Sequence, residues 1–313
     1  MTRRRRPGKN SLPAIVTLLV VFGAALAWTK TGQVGARPRL PGTAEPENAS
    51  HHRRRQVNKS TEGSTAYPTA TSVEQSVHVA LGGPVDGDPS DDVLIDHGVY
   101  VLSYNSRRNS ANWVSWELDR SYLGNVRRKN DFRPDPALPE GFYRVVPADY
   151  KGTGYDRGHL CPSADREATL ELNSLTFFMT NIQPQLHELN DGPWEKLEEY
   201  EREFARRRDT RLFIVAGGIF DEGSRTIGHG VAVPNANYKI IVALRQGQGQ
   251  ADVKTSTKVI AAVMPNVPGV GTHAWTDYLT SVDAIEKKTG YDFLSRVPKD
   301  VQDVIESRQT QPE

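Results

Sequence analysis

The chain has 313 residues, enough for one large or two small domains, but its hydrophobic content of 37% is low for a single compact globule. Residues 1–78 carry 12 Lys and Arg against 4 Asp and Glu, whereas residues 79–313 carry 27 against 34, so the C-terminal part is acidic and argues against wrapping nucleic acid by bulk electrostatics. The single cysteine, Cys161, excludes an intramolecular disulfide and a cysteine-based zinc cluster.

The chain begins with a basic region, residues 1–11, followed by an uncharged run over residues 12–28. Arginines before an apolar run are typical of a signal peptide, and Ala25-Leu26-Ala27 offers a small-x-small cleavage site. The run is also just long enough to span a bilayer. Residues 12–28 are therefore predicted to be a transmembrane anchor or a signal peptide, with the membrane as a partner if the segment is retained.

The location follows from the same segment, because the positive-inside rule puts everything after it on the far side of the membrane. The predicted location is extracytoplasmic, either membrane-anchored or secreted, with a mitochondrial intermembrane space as the alternative. Residues 29–78 are rich in Pro, Gly, Ser, Thr and Arg, cannot bury enough surface to fold, and predict a flexible, disordered linker.

From residue 79 to about 310, short apolar runs alternate with turn residues and indicate one domain of mixed strands and helices. The strand candidates are Val93–Ile95, Gly98–Tyr104, Trp113–Leu118, Leu175–Thr180, Leu212–Ala216, Tyr238–Leu244 and Val259–Met264. The helix candidates are Gly192–Arg207, Ala274–Thr289 and Lys299–Ser307. This order predicts an α+β fold.

The segment Asp156-Arg157-Gly158-His159 carries the first chemical signal. An imidazole can take a proton from water, while a neighbouring guanidinium can neutralise charge that develops on a phosphate, so the pair suits phosphodiester cleavage. The segment alone is equally compatible with a surface ion pair between Asp156 and Arg157 and a structural His159.

A second constellation follows in Asn181-Ile182-Gln183-Pro184-Gln185 and in the stretch from Leu189 to Glu198. On one continuous helix, Asn190 and Glu198 would be rotated by about 80° and separated by about 12 Å, too far to ligate one ion together. An Asn190 carbonyl as direct ligand, with Glu198 acting through bound water, fits hydrated Mg²⁺. Taken alone, Asn190 could be a helix cap and Glu198 a solvated residue.

Together the two segments resemble the non-specific DNA/RNA endonucleases of the ββα-metal (His-Me finger) type, the endonuclease G-like group. The shared pattern is DRGH, then NxxPQ, then LNxxxW with LE following, and the resemblance extends over nearly all of residues 79–307. It implies a ββα-metal nuclease fold in which helices flank a central antiparallel sheet. We therefore predict a DNA/RNA non-specific endonuclease domain over residues 79–310.

The resemblance also implies the site residues. His159 would be the general base, Asn190 the direct metal ligand, Glu198 the organiser of metal-bound water, and Arg157 a contact to phosphate. A second phosphate-binding arginine is expected between residues 127 and 132, and Arg128 is our choice. Cys161 is expected to be a buried filler, and Trp113, Trp116 and Trp194 are expected to pack in the core.

The predicted function is a metal-dependent endonuclease that uses Mg²⁺, or Mn²⁺, to cut DNA, RNA or both. The resemblance also implies products with a 5′-phosphate and a 3′-hydroxyl. Two alternatives stay open at this point: a metal-dependent phosphodiesterase acting on small or lipid phosphates, and a non-catalytic, membrane-tethered nucleic-acid binder. The sequence is also compatible with a homodimer.

Overall fold

The computed structural model describes residues 73–207 and 209–312. The predicted basic region 1–11, the predicted anchor or signal peptide 12–28 and the linker as far as residue 72 lie outside the described residues. Within the described ranges, no helix is both long and apolar enough to cross a membrane.

A seven-stranded antiparallel sheet forms the centre of the fold. In spatial order it consists of β1 (Val93–Asp96), β2 (Val101–Asn105), β3 (Ser110–Asp119), β6 (Arg211–Ile219), β9 (Ala236–Leu244), β10 (Lys258–Pro265) and β11 (Leu279–Thr280). Its longest strands, β3, β6 and β9, lie side by side in the middle, where both faces of the sheet are buried.

Two hydrophobic clusters cover the two faces because alternate side chains of each strand point to opposite sides. On one face, Trp116 and Ile214 pack with Trp194 and Leu197 of helix α3 (Pro193–Arg206). On the other face, residues such as Val215 pack against the C-terminal helices α4 (Val282–Thr289) and α5 (Lys299–Ile305). The predicted α+β architecture, a central antiparallel sheet flanked by helices, is confirmed.

A separate two-stranded ribbon lies beside the α3 face. It pairs β4 (Asp156–His159) with β5 (Ile182–Gln185), and the intervening chain holds α1 (Leu170–Leu175). Helix α2 (His187–Asn190) and then α3 follow β5 directly. We call this β4–β5–α2–α3 unit the ββα module. It has the strand–strand–helix order that the resemblance implied.

The remaining regular elements are small. A second ribbon pairs β7 (Thr226–Ile227) with β8 (Val231–Ala232). Short 3-10 helices cover Val77–Val79, Pro89–Asp91, Pro147–Tyr150, Ser163–Arg166, Met179–Asn181, Gln250–Asp252, Val270–Thr272 and Trp275–Tyr278.

Two element predictions were wrong. Leu175–Thr180 is not a strand: the amide nitrogens of Thr176 and Phe177 donate to carbonyls three residues earlier, so the backbone turns at the end of α1. The helix predicted over Ala274–Thr289 exists only from Val282 onward, because Ser281 caps it there by accepting a hydrogen bond from the Ala284 amide. The strands β4 and β5 were missed because their mixed polar sequences lack an alternating pattern.

Candidate active site

The DRGH segment forms strand β4, whose residues pair with β5 from Asp156 opposite Gln185 to His159 opposite Ile182. Gly158 leaves room for the side chain of Gln185, which a Cβ atom at that position would overlap. His159 is the last residue of the strand.

The NxxPQ segment anchors the ββα module to the rest of the protein. Asn181 accepts a hydrogen bond from the Cys161 amide at 2.9 Å and donates one to the Cys161 carbonyl at 2.8 Å. Gln183 donates to the carbonyl of Ala111 on β3 at 3.0 Å and accepts from Asn237 on β9 at 2.8 Å. These buried side chains position the ribbon and have no contact with the cavity described below.

Cys161 is fully buried, and burial raises the pKa of its thiol. It therefore fills space next to the anchor, as expected. The three tryptophans are likewise buried in the core, as predicted. Trp194 has an added role, since its indole nitrogen donates to the backbone carbonyl of His159 at 3.3 Å and supports that residue from behind.

Asn190 and Glu198 do not share one helix, which corrects the geometry assumed from the sequence. Helix α2 ends at Asn190, and α3 begins at Pro193 after a break at Gly192. Only glycine fits at position 192, because a Cβ atom there would overlap the backbone carbonyl of Glu188. The ideal-helix offset of 80° and 12 Å therefore does not apply to this pair.

One cavity of about 150 Å³ brings the five predicted site residues together. Its lining includes His159 and Arg157 from β4, Arg128 from the preceding loop, Asn190 from α2 and Glu198 from α3. A wider cavity of about 570 Å³ shares Arg128, Arg157 and Asn190 with it and continues past Lys151 and Tyr155. The small cavity therefore forms one end of a larger groove with three residues at the junction.

His159 is 7% exposed and lies between the rings of Phe132 and Phe177, at centroid distances of 5.4 and 5.1 Å. Within the described ranges, its Nε2 atom has no hydrogen-bond partner. Burial, and to a smaller extent the charges of Arg128 and Arg157, lower the pKa of His159 to about 3. The imidazole is therefore neutral at physiological pH and able to accept a proton.

The guanidinium groups of Arg157 and Arg128 each pack against an aromatic ring. The Arg157 guanidinium carbon lies 4.2 Å from the centre of the Phe132 ring, and that of Arg128 lies 5.3 Å from the centre of the Phe177 ring. Such cation–π contacts orient a guanidinium without occupying its N–H donors. Both arginines can therefore offer those donors to an anion in the groove.

Asp156, the first residue of the DRGH segment, orients Asn190. Its carboxylate accepts a hydrogen bond from the Asn190 side-chain nitrogen at 3.2 Å and a second bond from His187 Nδ1 at 2.8 Å. Since the nitrogen of the amide is committed to Asp156, the amide oxygen points away from that carboxylate. An oxygen fixed in this way is a suitable ligand for a hard cation.

Glu198 is mostly buried, with 12% of its side chain exposed, and has two cations nearby. Its carboxylate oxygens lie 3.8 Å from Arg202 Nη1 and 3.8 Å from Lys239 Nζ. Burial nevertheless raises its pKa to about 7, because the desolvation of the carboxylate outweighs the opposing effects of Lys239 and Arg202.

The sequence reasoning missed the charged side chains that surround Glu198. Arg202 lines the small cavity and contacts the buried carboxylate of Asp165 at 3.3 Å. Lys239 is fully buried on β9, lies 4.4 Å from the centre of the Trp194 ring and pairs with Glu201 at 3.1 Å. The signals available in the sequence were the Glu198–Arg202 spacing of four residues and a lysine inside an otherwise apolar strand.

The chain is similar to several known nucleases. A family model described as DNA/RNA non-specific endonuclease matches residues 83–300. A nuclease from Nostoc sp. is 44% identical over 245 residues, covering 77% of this chain and 88% of that protein. Human mitochondrial endonuclease G is 30% identical over 211 residues, covering 64% and 68%. The mitochondrial nuclease EXOG of Danio rerio is 32% identical over 213 residues, covering 64% of this chain and 60% of its own length. A crystal structure of the EndoG/EndoGI complex matches with a TM-score of 0.60 and 26% identity, covering 75% of this chain and 95% of that one.

Proposed function

Because the chain belongs to the DNA/RNA non-specific endonuclease family and is therefore a nuclease, we propose that it hydrolyses phosphodiester bonds of DNA and RNA at the small cavity, with Mg²⁺ or Mn²⁺ as the ion. The family itself is metal-dependent. The observation that supports this proposal is the convergence of His159, two arginines, Asn190 and Glu198 on one cavity at the end of a groove.

The side chains of the cavity fit a hard divalent cation. Asn190 offers an amide oxygen that Asp156 orients, and Glu198 offers a carboxylate deeper in the cavity that can hold bound water. Oxygen ligands in small number suit Mg²⁺, which keeps much of its water shell in proteins. When bound, the ion supplies positive charge close to the phosphate under attack.

His159 would act as the base that takes a proton from the attacking water. Its Nε2 atom is buried and unpartnered among the described residues, and the imidazole is neutral, so this atom can accept a proton. A pKa of about 3 makes a weak base in the free protein. A phosphate between Arg128 and Arg157 would offset the effect of these two charges on the pKa, which is smaller than the effect of burial, and would make His159 a stronger base.

Arg128 and Arg157 would hold the scissile phosphate at the junction of the two cavities. Each guanidinium is already oriented by an aromatic ring and would bind phosphate oxygens through several N–H donors. Neighbouring nucleotides would lie in the wider groove, near Lys151. Contacts of this kind read phosphate and sugar and carry no base information, which accounts for cleavage with little regard to sequence.

The location is part of the proposal. The arginine block before residues 12–28 favours an extracytoplasmic nuclease, either anchored or released after cleavage. A reporter fused after Glu313 should be active on the extracytoplasmic side and inactive in the cytoplasm. A reporter active only in the cytoplasm would contradict this orientation, and a mature protein that starts near Trp28 would identify the segment as a cleaved signal.

Digestion of plasmid, RNA and a small phosphodiester by the purified chain, with and without Mg²⁺ and chelator, tests the function. We expect Mg²⁺-dependent cleavage of both nucleic acids, little activity on the small ester, and 5′-phosphate ends. His159→Ala should reduce the rate by about 10²–10⁴-fold with an unchanged circular dichroism spectrum. Cleavage that survives the chelator, or a His159→Ala variant that retains more than about a tenth of the rate, would contradict the mechanism.

A further inference from the structure

An acidic cluster lies on the opposite side of the sheet from the active site. Asp283 and Glu286 belong to α4, and Glu306 is the residue that ends α5. None of the three lines either active-site cavity. The two helices they join pack on the sheet face that lies away from α3.

The three carboxylates are close enough to share one ion. One oxygen from each lies within 4.8 Å of the others. Two oxygens bound to a single Ca²⁺ at about 2.4 Å can be at most about 4.8 Å apart, so these separations allow one divalent cation to contact all three carboxylates. Carboxylates from two different helices suit Ca²⁺, which accepts irregular oxygen coordination, better than Mg²⁺, which requires near-octahedral geometry.

Glu306 gives a second and independent reason to expect a ligand. It is 1% exposed, yet its Oε1 atom is buried and has no hydrogen-bond partner in the part of the chain that the structure describes. A buried carboxylate oxygen without a partner is strongly unfavourable. Its nearest electrostatic neighbours are mainly acidic, and burial together with Glu286 raises the pKa of Glu306 to about 8.

The backbone already brings the two helices together at this point. The Asp283 amide donates to the Glu306 carbonyl at 3.1 Å, and Glu286 is tied to the Phe293 amide at 2.9 Å. Lys299, the basic residue that most favours ionised Glu306, is instead paired with Asp303 at 3.0 Å. A positive charge at the C-terminal end of α5 would also interact favourably with the helix dipole.

We propose that Asp283, Glu286 and Glu306 form a structural site for a divalent cation of the size of Ca²⁺, separate from the catalytic metal site. The ion joins the first turn of α4 to the end of α5 and thereby fastens the C-terminal segment to the sheet. With three carboxylates, two of them partly exposed, the affinity falls in the range of about 0.1–1 mM that weak extracellular calcium sites show.

Thermal unfolding in the Asn190→Ala background tests the proposal, because this substitution removes the proposed direct ligand of the active site. At 10 mM CaCl2, we expect a rise in Tm of about 3 to 10 °C relative to NaCl of equal ionic strength. Adding Glu306→Gln should abolish the rise and leave the Tm without calcium equal or higher. Asp283→Asn should weaken the rise, whereas the exposed control Glu140→Gln should keep it in full.

Calcium titration calorimetry on the same variants supplies the binding stoichiometry. One Ca²⁺ per chain should bind in Asn190→Ala, and none when Glu306→Gln is added. The proposal is wrong if CaCl2 raises the Tm no more than the matched NaCl, or if Glu306→Gln retains the rise. Loss of stability above pH 8 without any response to calcium would also overturn it, since Glu306 would then be kept as a protonated acid.

Discussion

Replacing Glu198 with glutamine is expected to stabilise the protein while it lowers nuclease activity. The pKa of Glu198 in the fold is raised from 4.5 to about 7 by burial. Since the folded pKa lies above the unfolded one, the native state resists ionisation of this carboxyl. The stability that protonated Glu198 contributes is therefore fully present below pH 4.5 and is lost as the pH rises through 7.

The magnitude follows from the shift. At about 1.4 kcal/mol for each pKa unit, ionised Glu198 destabilises the fold by at most about 3 kcal/mol. Glutamine removes this charge but leaves Lys239 and Arg202, both 3.8 Å away, without one of their partners. We therefore expect a net gain of about 1–2 kcal/mol at pH 8, equivalent to a Tm rise of about 2–8 °C.

Urea unfolding with chelator, at pH 8 and at pH 4.5, measures this gain. The difference between Glu198→Gln and wild type should be largest at pH 8 and close to zero at pH 4.5, where Glu198 is protonated. Glu203→Gln, an exposed residue on the same helix, is the control and should have no effect at either pH. A Glu198→Gln protein that is less stable than wild type at pH 8 would refute the reasoning, because the carboxylate would then stabilise the fold.

The remaining predictions concern the metal ligand, its positioning and the ribbon. Asn190→Ala should lose more activity than Glu198→Gln, which should lose about 10–100-fold, and raising Mg²⁺ should recover only the latter; equal losses and equal recovery would contradict a direct Asn190 ligand. Asp156→Ala should raise the Mg²⁺ concentration at half-maximal cleavage by about 10–100-fold, as measured by Mg²⁺ titration, because the acceptor that orients Asn190 is lost; an unchanged Mg²⁺ midpoint would contradict that role. Gly158→Ala should cost about 1–3 kcal/mol in urea unfolding through overlap with the Gln185 side chain, while the open Gly87→Ala control stays near wild type; equal stability of the two variants would show that the Gln185 side chain can move aside.

The sequence alone determined the fold class, most of the central strands and the identity of the five candidate site residues. The strands of the main sheet are buried on both faces, and their sequences therefore contain apolar runs. Such runs can be recognised in the local sequence without knowledge of the fold. The DRGH and NxxPQ segments, ordered along the chain, indicated a nuclease through their joint resemblance to the non-specific DNA/RNA endonucleases, since each segment alone was also compatible with a structural role. The roles of those residues remain predictions that the experiments above address.

Only the tertiary structure decided how these residues meet. The break at Gly192 places Asn190 and Glu198 on different helices, and it depends on contact with the Glu188 carbonyl rather than on helix propensity. Lys239 reaches Glu198 from a strand 41 positions away in the chain, so no local pattern could connect them. The neutral state of His159 depends on burial between two rings and on the fields of two arginines, which exist only once the chain has folded.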